Sequence, residues 1–261
     1  MPGAGISFAN VSYSLPTGRT LLRDISLTLT PCTTTAILGR SGSGKTTLLR
    51  MVNGMVQPTS GAVLVGGQST RDRDQLELRR GIGYVIQETG LFPHMTVERN
   101  AGLALELAGT PAPEKTRRTA EVLALTGLDP VGPDSVGPDF AEFRARYPWQ
   151  LSGGQRQRVG LARALAADPA VLLMDEPFGA LDPLTRAEMQ TMLRDLLQRV
   201  GKTVLLVTHD LDEALYLAQR VIFLEAGEVV ADLAAADVLT SSNSSVREYV
   251  AAVHRRVEGT R

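Results

Sequence analysis

The chain has 261 residues, 43% apolar and 21% charged, which suffices for a large core and excludes a disordered polymer. Lys and Arg number 27 against 28 Asp and Glu, and this net charge of −1 argues against a nucleic-acid partner held by a basic surface. No stretch approaches the ~18 consecutive apolar residues of a membrane helix, and the opening MPGAGISFANVSYS lacks the charged start and apolar run of a signal peptide, so the expectation is a cytoplasmic protein whose membrane role requires a partner. The single cysteine, Cys32, allows no intrachain disulfide and reads as a small residue, buried or half-buried, near a strand.

Residues 6–38 read as strands and turns. Ile6, Phe8 and Val11 alternate with polar neighbours, as do Leu27 and Leu29, and Thr34–Leu38 is a short buried strand entering a glycine-rich loop. A helix follows from Lys45 to about Asn53, with Gly54 where a helix stop belongs. Gly61–Gly67 reads as a strand and turn, and Gly83–Ile86 as an apolar strand running into Gln87. Between residues 88 and 165 the spacing turns helical over Leu103–Ala108 and Thr119–Leu125, punctuated by prolines, with Asp129–Asp139 as a Pro/Gly-rich surface loop. His94 reads as a surface residue of this helical region.

The α/β pattern resumes at Val171–Met174, an apolar strand ending in Asp175-Glu176-Pro177. Asp182 then caps a helix that carries Pro183 in its first turn, has Met189, Leu193 and Leu196 on one face and stops at Gly201. Thr203–Val207 is a further buried strand followed by His209, and Asp210-Leu-Asp-Glu213 opens another helix in the manner of a capping box. Residues 221–230 form a last strand and turn, and the tail from Ala231 reads as short helices. No internal repeat is present.

Three motifs carry chemistry. Gly39-Arg40-Ser41-Gly42-Ser43-Gly44-Lys45-Thr46 satisfies the phosphate-loop pattern, with an apolar strand before it and a helix after it. Its glycines let backbone N–H groups turn towards phosphate, Lys45 reaches the β- and γ-phosphates, and Thr46 offers a hydroxyl to Mg²⁺, with Thr47 beside it. Asp175 ends a buried strand, where open parallel sheets place their ligands and a carboxylate can hold Mg²⁺ through water. Its neighbour Glu176 can polarise an attacking water. Leu151-Ser152-Gly153-Gly154-Gln155 precedes a basic amphipathic helix, Arg156–Ala167, and places serine and two glycines at a helix start, a second phosphate-reading surface.

A phosphate loop paired with LSGGQ resembles the ATP-binding cassette family, and the order of motifs agrees over residues 6–230. The resemblance implies an α/β fold: a P-loop NTPase (RecA-like) core with an antiparallel β subdomain and an α-helical subdomain at about 88–165, in a nucleotide-binding domain of residues 1–230 followed by a short helical tail, 231–261. It implies ATP and Mg²⁺ as ligands. It further implies that Gln87 touches Mg²⁺ and water and senses a transmembrane partner, and that Ser152, Gly153, Gly154 and Gln155 close over ATP held by the opposite protomer. Asp182 would bridge protomers and His209 would contact the γ-phosphate, so that the catalytic set is Lys45, Gln87, Glu176 and His209. The aromatic that this family usually stacks on adenine falls at Leu15; either Leu15 packs on the base or Tyr13 substitutes.

Several phrases are more similar to importer ATPases than to exporters, among them residues 84–97, Arg146-Tyr147-Pro148 and residues 174–186. Gly83–Val97 looks most like the glycine betaine/choline group, some of whose members carry a C-terminal pair of regulatory domains for which residues 231–261 leave no room. The implied assembly is a homodimer or paired ATPase subunit on transmembrane permease subunits, with a solute-binding protein, at the cytoplasmic face of the inner membrane. Alternatives are an importer for another solute, such as an amino acid or sulfonate, and a soluble cassette acting in DNA repair or translation. LSGGQ excludes a P-loop kinase in practice.

Overall fold

A computed structural model describes residues 3–87, 90–128 and 140–258, with side chains to Val253. In chain order the elements are β1 (Ile6–Ser14), β2 (Thr20–Leu29), β3 (Thr34–Leu38), α1 (Lys45–Val52), β4 (Ser60–Val65), β5 (Gln68–Ser69), α2 (Gln75–Arg80) and β6 (Ile82–Val85). Next come α3 (Val97–Leu107), α4 (Ala112–Leu125), α5 (Phe140–Ala145), a 3-10 turn (Pro148–Gln150), α6 (Gly153–Leu165), β7 (Val171–Asp175) and α7 (Pro183–Val200). The last are β8 (Thr203–Thr208), α8 (Leu211–Leu217), β9 (Arg220–Glu225), β10 (Glu228–Ala234), a 3-10 turn (Ala235–Thr240) and α9 (Ser244–Glu258). The expected loop Asp129–Asp139 lies outside the described residues.

The chain divides into two compact units. One joins Gly3–Gln75 to Thr203–Arg261. It holds the antiparallel sheet β2-β1-β4-β5 and the strand run β10-β9-β3-β8, in which β9, β3 and β8 are parallel and β10 is antiparallel to β9. Every residue of β3 and β8 is buried, which is why both read as unbroken apolar or threonine runs. In β1 the buried positions are Ile6, Phe8 and Val11, and a register shift at Asn10, held at φ 49°, explains the odd step.

The other unit covers Leu76–Lys202. Its strands β6 and β7 pair in parallel, aligning Tyr84 with Leu173 and Val85 with Met174. Helices α3 and α4 pack on α6, which is buried along almost its whole length, Arg158 included. The expected amphipathic helix is therefore a core helix. Its arginines satisfy carbonyls instead of facing water: Arg158 donates to Thr126 O at 3.3 Å and Arg156 to Leu151 O at 2.6 Å.

Two local expectations need correction. Cys32 is exposed, in a turn that holds it at φ 59° just before β3. Residues 228–234 are a strand, because they pair along β9 from Glu228–Glu225 to Ala234–Arg220, and the tail then forms a 3-10 turn and the 15-residue α9 rather than short helices.

Candidate active site

The phosphate loop leaves β3 at Gly39 and enters α1 at Lys45. A Cβ at Gly39 would collide with Leu224 O, and Gly44 occupies φ 104° at the helix N-cap, so both positions need glycine. No side chain caps α1 at Gly44. Lys45 is only 5% exposed, and its Nζ donates to Gly39 O at 2.8 Å and Arg40 O at 3.0 Å, curling over the loop. Ser43 Oγ is buried without a hydrogen-bond partner. A buried ammonium, an orphaned hydroxyl and an uncapped helix start together suit a polyphosphate anion. Thr46 and Thr47 are half-buried in the first turn.

In the Leu76–Lys202 unit, Asp175 is buried at the end of β7, and Tyr84 Oη donates to its Oδ2 at 3.4 Å. Glu176 follows at φ 47°, the left-handed region that a residue with a Cβ avoids. That turn aims its carboxylate at Gln87, whose Nε2 donates to Glu176 Oε2 at 3.3 Å. Gln87, Asp175 and Glu176 are thus neighbours. No cluster of three or more His, Cys, Asp and Glu able to hold a metal occurs among the described residues. A single strand-end carboxylate suits Mg²⁺, which keeps several waters and takes one or two carboxylates together with phosphate oxygens.

Ser152 caps α6 in a reciprocal box: Gln155 N donates to Ser152 Oγ at 3.2 Å and Ser152 N to Gln155 Oε1 at 3.0 Å. Gln155 therefore sets the helix start within its own chain. Gly154 is buried, and a Cβ there would meet Thr185 Cγ2 at 2.8 Å, so glycine is also what lets α6 approach α7. Asp182 caps α7 and accepts from Thr185 N at 3.1 Å; the hydrogen bonds from Thr185 hold its carboxyl below the usual range.

His209 lies exposed between β8 and Asp210, which caps α8 by accepting from Glu213 N at 3.0 Å. The two adenine candidates do not share a strand face. β1 ends at Ser14 with register shifts on both sides of Tyr13, and Leu15 lies in the turn that bonds Leu15 N to Arg19 O at 2.9 Å. Both side chains are half-buried.

Sequence reasoning missed two residues that shape the segment after Gln87. Asn100, fully buried in α3, accepts from Phe92 N at 2.8 Å and donates towards Met95 O at 2.9 Å and towards Phe92 O and Thr96 O, both at 3.1 Å. Arg163 of α6 donates to Gly90 O at 2.7 Å, and burial lowers its pKa. An asparagine one turn inside a helix from its N-cap Thr96 was the available signal for the first; nothing local signals the second.

The fold and loop define a P-loop α/β nucleotide-binding protein. Residues 22–179 match the ABC transporter family model, and the chain belongs to that family. It is 40% identical over 246 residues to the choline transport ATP-binding protein OpuBA of Bacillus subtilis, covering 94% of this chain and 62% of that protein. It is 43% identical over 245 residues to the glycine betaine uptake system ATP-binding protein YehX of Escherichia coli, covering 94% and 76%. The chain spans about three-fifths of the length of the curated relatives it matches first. Among solved structures it resembles the ATP-binding cassette MJ0796, a dimer in a post-hydrolysis state bound to ADP and Pi, at 33% identity and TM-score 0.75 over 88% of this chain and 98% of that one. It also resembles cbiO1 of Clostridium perfringens, part of the ABC transporter complex cbiONQ, at 25% identity and TM-score 0.80 over 97% and 98%.

Proposed function

We propose that this chain binds and hydrolyses MgATP as one half of a cassette dimer and thereby drives an importer for a small quaternary-ammonium osmoprotectant such as glycine betaine or choline. The observation that carries the ATPase reading is the loop Gly39–Thr46, with its buried Lys45, orphaned Ser43 hydroxyl and uncapped helix start. The substrate class rests on the names of relatives in Bacillus subtilis and Escherichia coli. Among the described residues no helix is long and apolar enough to cross a membrane, so translocation falls to permease subunits, with this chain on their cytoplasmic face and a solute-binding protein delivering the cargo.

Each residue has a chemical task in this reading. Lys45 exchanges its carbonyl partners for the β- and γ-phosphate oxygens, and Thr46 and Asp175 would hold Mg²⁺, which would supply positive charge against the phosphate oxygens. Glu176 takes a proton from the attacking water as its oxygen bonds to the γ-phosphorus and the bond to the β-phosphate oxygen breaks. Gln87 orients that water, and His209 contacts the γ-phosphate. Ser152, Gly153 and Gly154 serve the nucleotide of the opposite protomer, Gln155 shapes the helix start that presents them, and Asp182 lies at the protomer boundary.

Glu176→Gln tests the assembly and the chemistry together: with MgATP it is expected to elute as a stable dimer with turnover lost. A mutant that stays monomeric at high ATP and protein concentration overturns the composite site. Uptake of labelled betaine and choline, in cells that lack other carriers and express the full system, tests the cargo; failure of both beside uptake of an amino acid or sulfonate removes the substrate reading and leaves the ATPase.

A further inference from the structure

Helix α9 lies beside the phosphate loop and beside His209, within the unit that holds all three. Its start is fixed. Asn243 Nδ2 donates to Val230 O at 3.0 Å, Asn243 Oδ1 accepts from Val246 N at 3.2 Å, and Val246 is fully buried. From that base the helix presents two polar side chains. Glu248 meets Arg40 of the loop at 2.8 Å, and Tyr249 Oη donates to the backbone carbonyl of His209 at 2.7 Å. The Tyr249 ring rests edge-on against Phe223 of β9 at 5.7 Å, which leaves the hydroxyl little freedom. The side chains of Arg40 and Glu248 are 70% and 71% exposed, so their ion pair is weak. The hydroxyl–carbonyl bond, also at the surface, is the contact that reaches His209 directly. His209 is also flanked by the bond from Asp210 N to Thr208 Oγ1 at 3.0 Å, so its backbone is held on both sides.

We propose that Tyr249 is a positioning residue for hydrolysis: through the His209 carbonyl it fixes the backbone that aims the imidazole, and α9 thereby sets the readiness of the γ-phosphate contact. This rests on the reading of His209 given above. It assigns a task to α9, which none of the nucleotide motifs includes. A shift of α9 would release the His209 backbone and the exposed Arg40–Glu248 pair but would leave the Lys45 contacts, which are internal to the loop.

The test compares the full chain with Tyr249→Phe, which keeps the ring on Phe223 and removes only the hydroxyl. Hydrogen exchange over residues 208–211 is expected to accelerate about three- to tenfold, the scale of one neutral hydrogen bond, with the phosphate-loop peptides unchanged. In the ATPase assay kcat is expected to fall severalfold while KM for ATP stays within twofold. Unchanged exchange at 208–211, acceleration spread over the whole chain, or a wild-type kcat overturns the proposal. An inactive wild-type chain would refute the ATPase reading, while the exchange measurement would still decide the tether.

Discussion

Asn100→Ala is the substitution whose effect the structure fixes most closely. The side chain is fully buried and holds one amide and three carbonyls of the segment 92–96. Thr96 O keeps a second donor, Asn100 N at 2.9 Å, and Phe92 O keeps Met95 N at 3.1 Å, so deletion strands the Phe92 amide and the Met95 carbonyl. A buried group left unsatisfied costs about 1–3 kcal/mol, and a carbonyl with a second lone pair costs less than an amide. Phe92 is 41% exposed, so water reaches part of the segment. The expected loss is roughly 2–3 kcal/mol, or about 4–10 °C in Tm for a chain of this size. Asn100→Asp sharpens the test. It keeps the acceptor for Phe92 N but turns a carboxylate oxygen on three carbonyls, so at neutral pH it is expected to be less stable than the alanine variant. That burial raises the folded pKa of the new carboxyl. The charge-dependent deficit is therefore absent below the unfolded pKa of about 3.9, grows as pH rises to the raised folded value, and is constant above it. Thermal melts of the three proteins from pH 3.5 to 7.5 provide the comparison. A wild-type Tm for Asn100→Ala, or an aspartate variant as stable as wild type at pH 7, refutes the claim that this side chain organises the segment after Gln87.

Glu176→Gly is expected to stabilise the chain by roughly 0.5–1 kcal/mol while abolishing turnover, because relief of the left-handed backbone outweighs the extra freedom glycine brings to the unfolded chain; a fall in Tm would contradict the strain assigned at φ 47°. The Asp182 carboxyl has its pKa depressed by Thr185, so its contribution is present above the unfolded value near 3.9 and lost as pH falls through the lower folded value; Asp182→Asn keeps a cap but does not titrate, and its melts should show a shallower acid loss than wild type. For the base contact, Leu15→Tyr is expected to tighten ATP by about 1 kcal/mol if Leu15 meets adenine, whereas Tyr13→Ala weakens binding if Tyr13 does. Calorimetry on both separates the cases, and no change in either places the base elsewhere.

The parts of the fold legible in the sequence are those that local rules determine. Asp182 and Gly201 bound α7 because an N-cap acceptor and a left-handed stop act within one turn. Strands β3 and β7 stand out because burial on both faces leaves no polar alternation. The motif residues are legible for the same reason: the glycines of the phosphate loop and the Ser152–Gln155 box are conformational requirements of a few consecutive residues.

What escaped depends on partners far along the chain. Residues 231–234 read as the start of the helical tail, but pairing with β9 supplies a ladder of hydrogen bonds that outweighs a preference of a few tenths of a kcal/mol per residue. The arginines of α6 look like a solvated face until the carbonyls at Gly90 and Thr126 are in place, 73 and 32 residues away. Cys32 reads as buried or half-buried because the turn that exposes it takes an unusual φ for a residue with a Cβ. The site divides along the same line. The groups that touch nucleotide in the proposed chemistry sit in short motifs, whereas Asn100, Arg163 and Tyr249 carry no motif because each acts on backbone atoms of a neighbouring segment. Any side-chain donor of suitable reach can supply a hydrogen bond to a backbone carbonyl, so what fixes these three is distance in the folded chain rather than the residues beside them. Substitutions that alter turnover without touching a motif are therefore expected to concentrate on α3, α6 and α9, on side chains whose hydrogen-bond partner is a main-chain atom of the segments around Gln87 and His209.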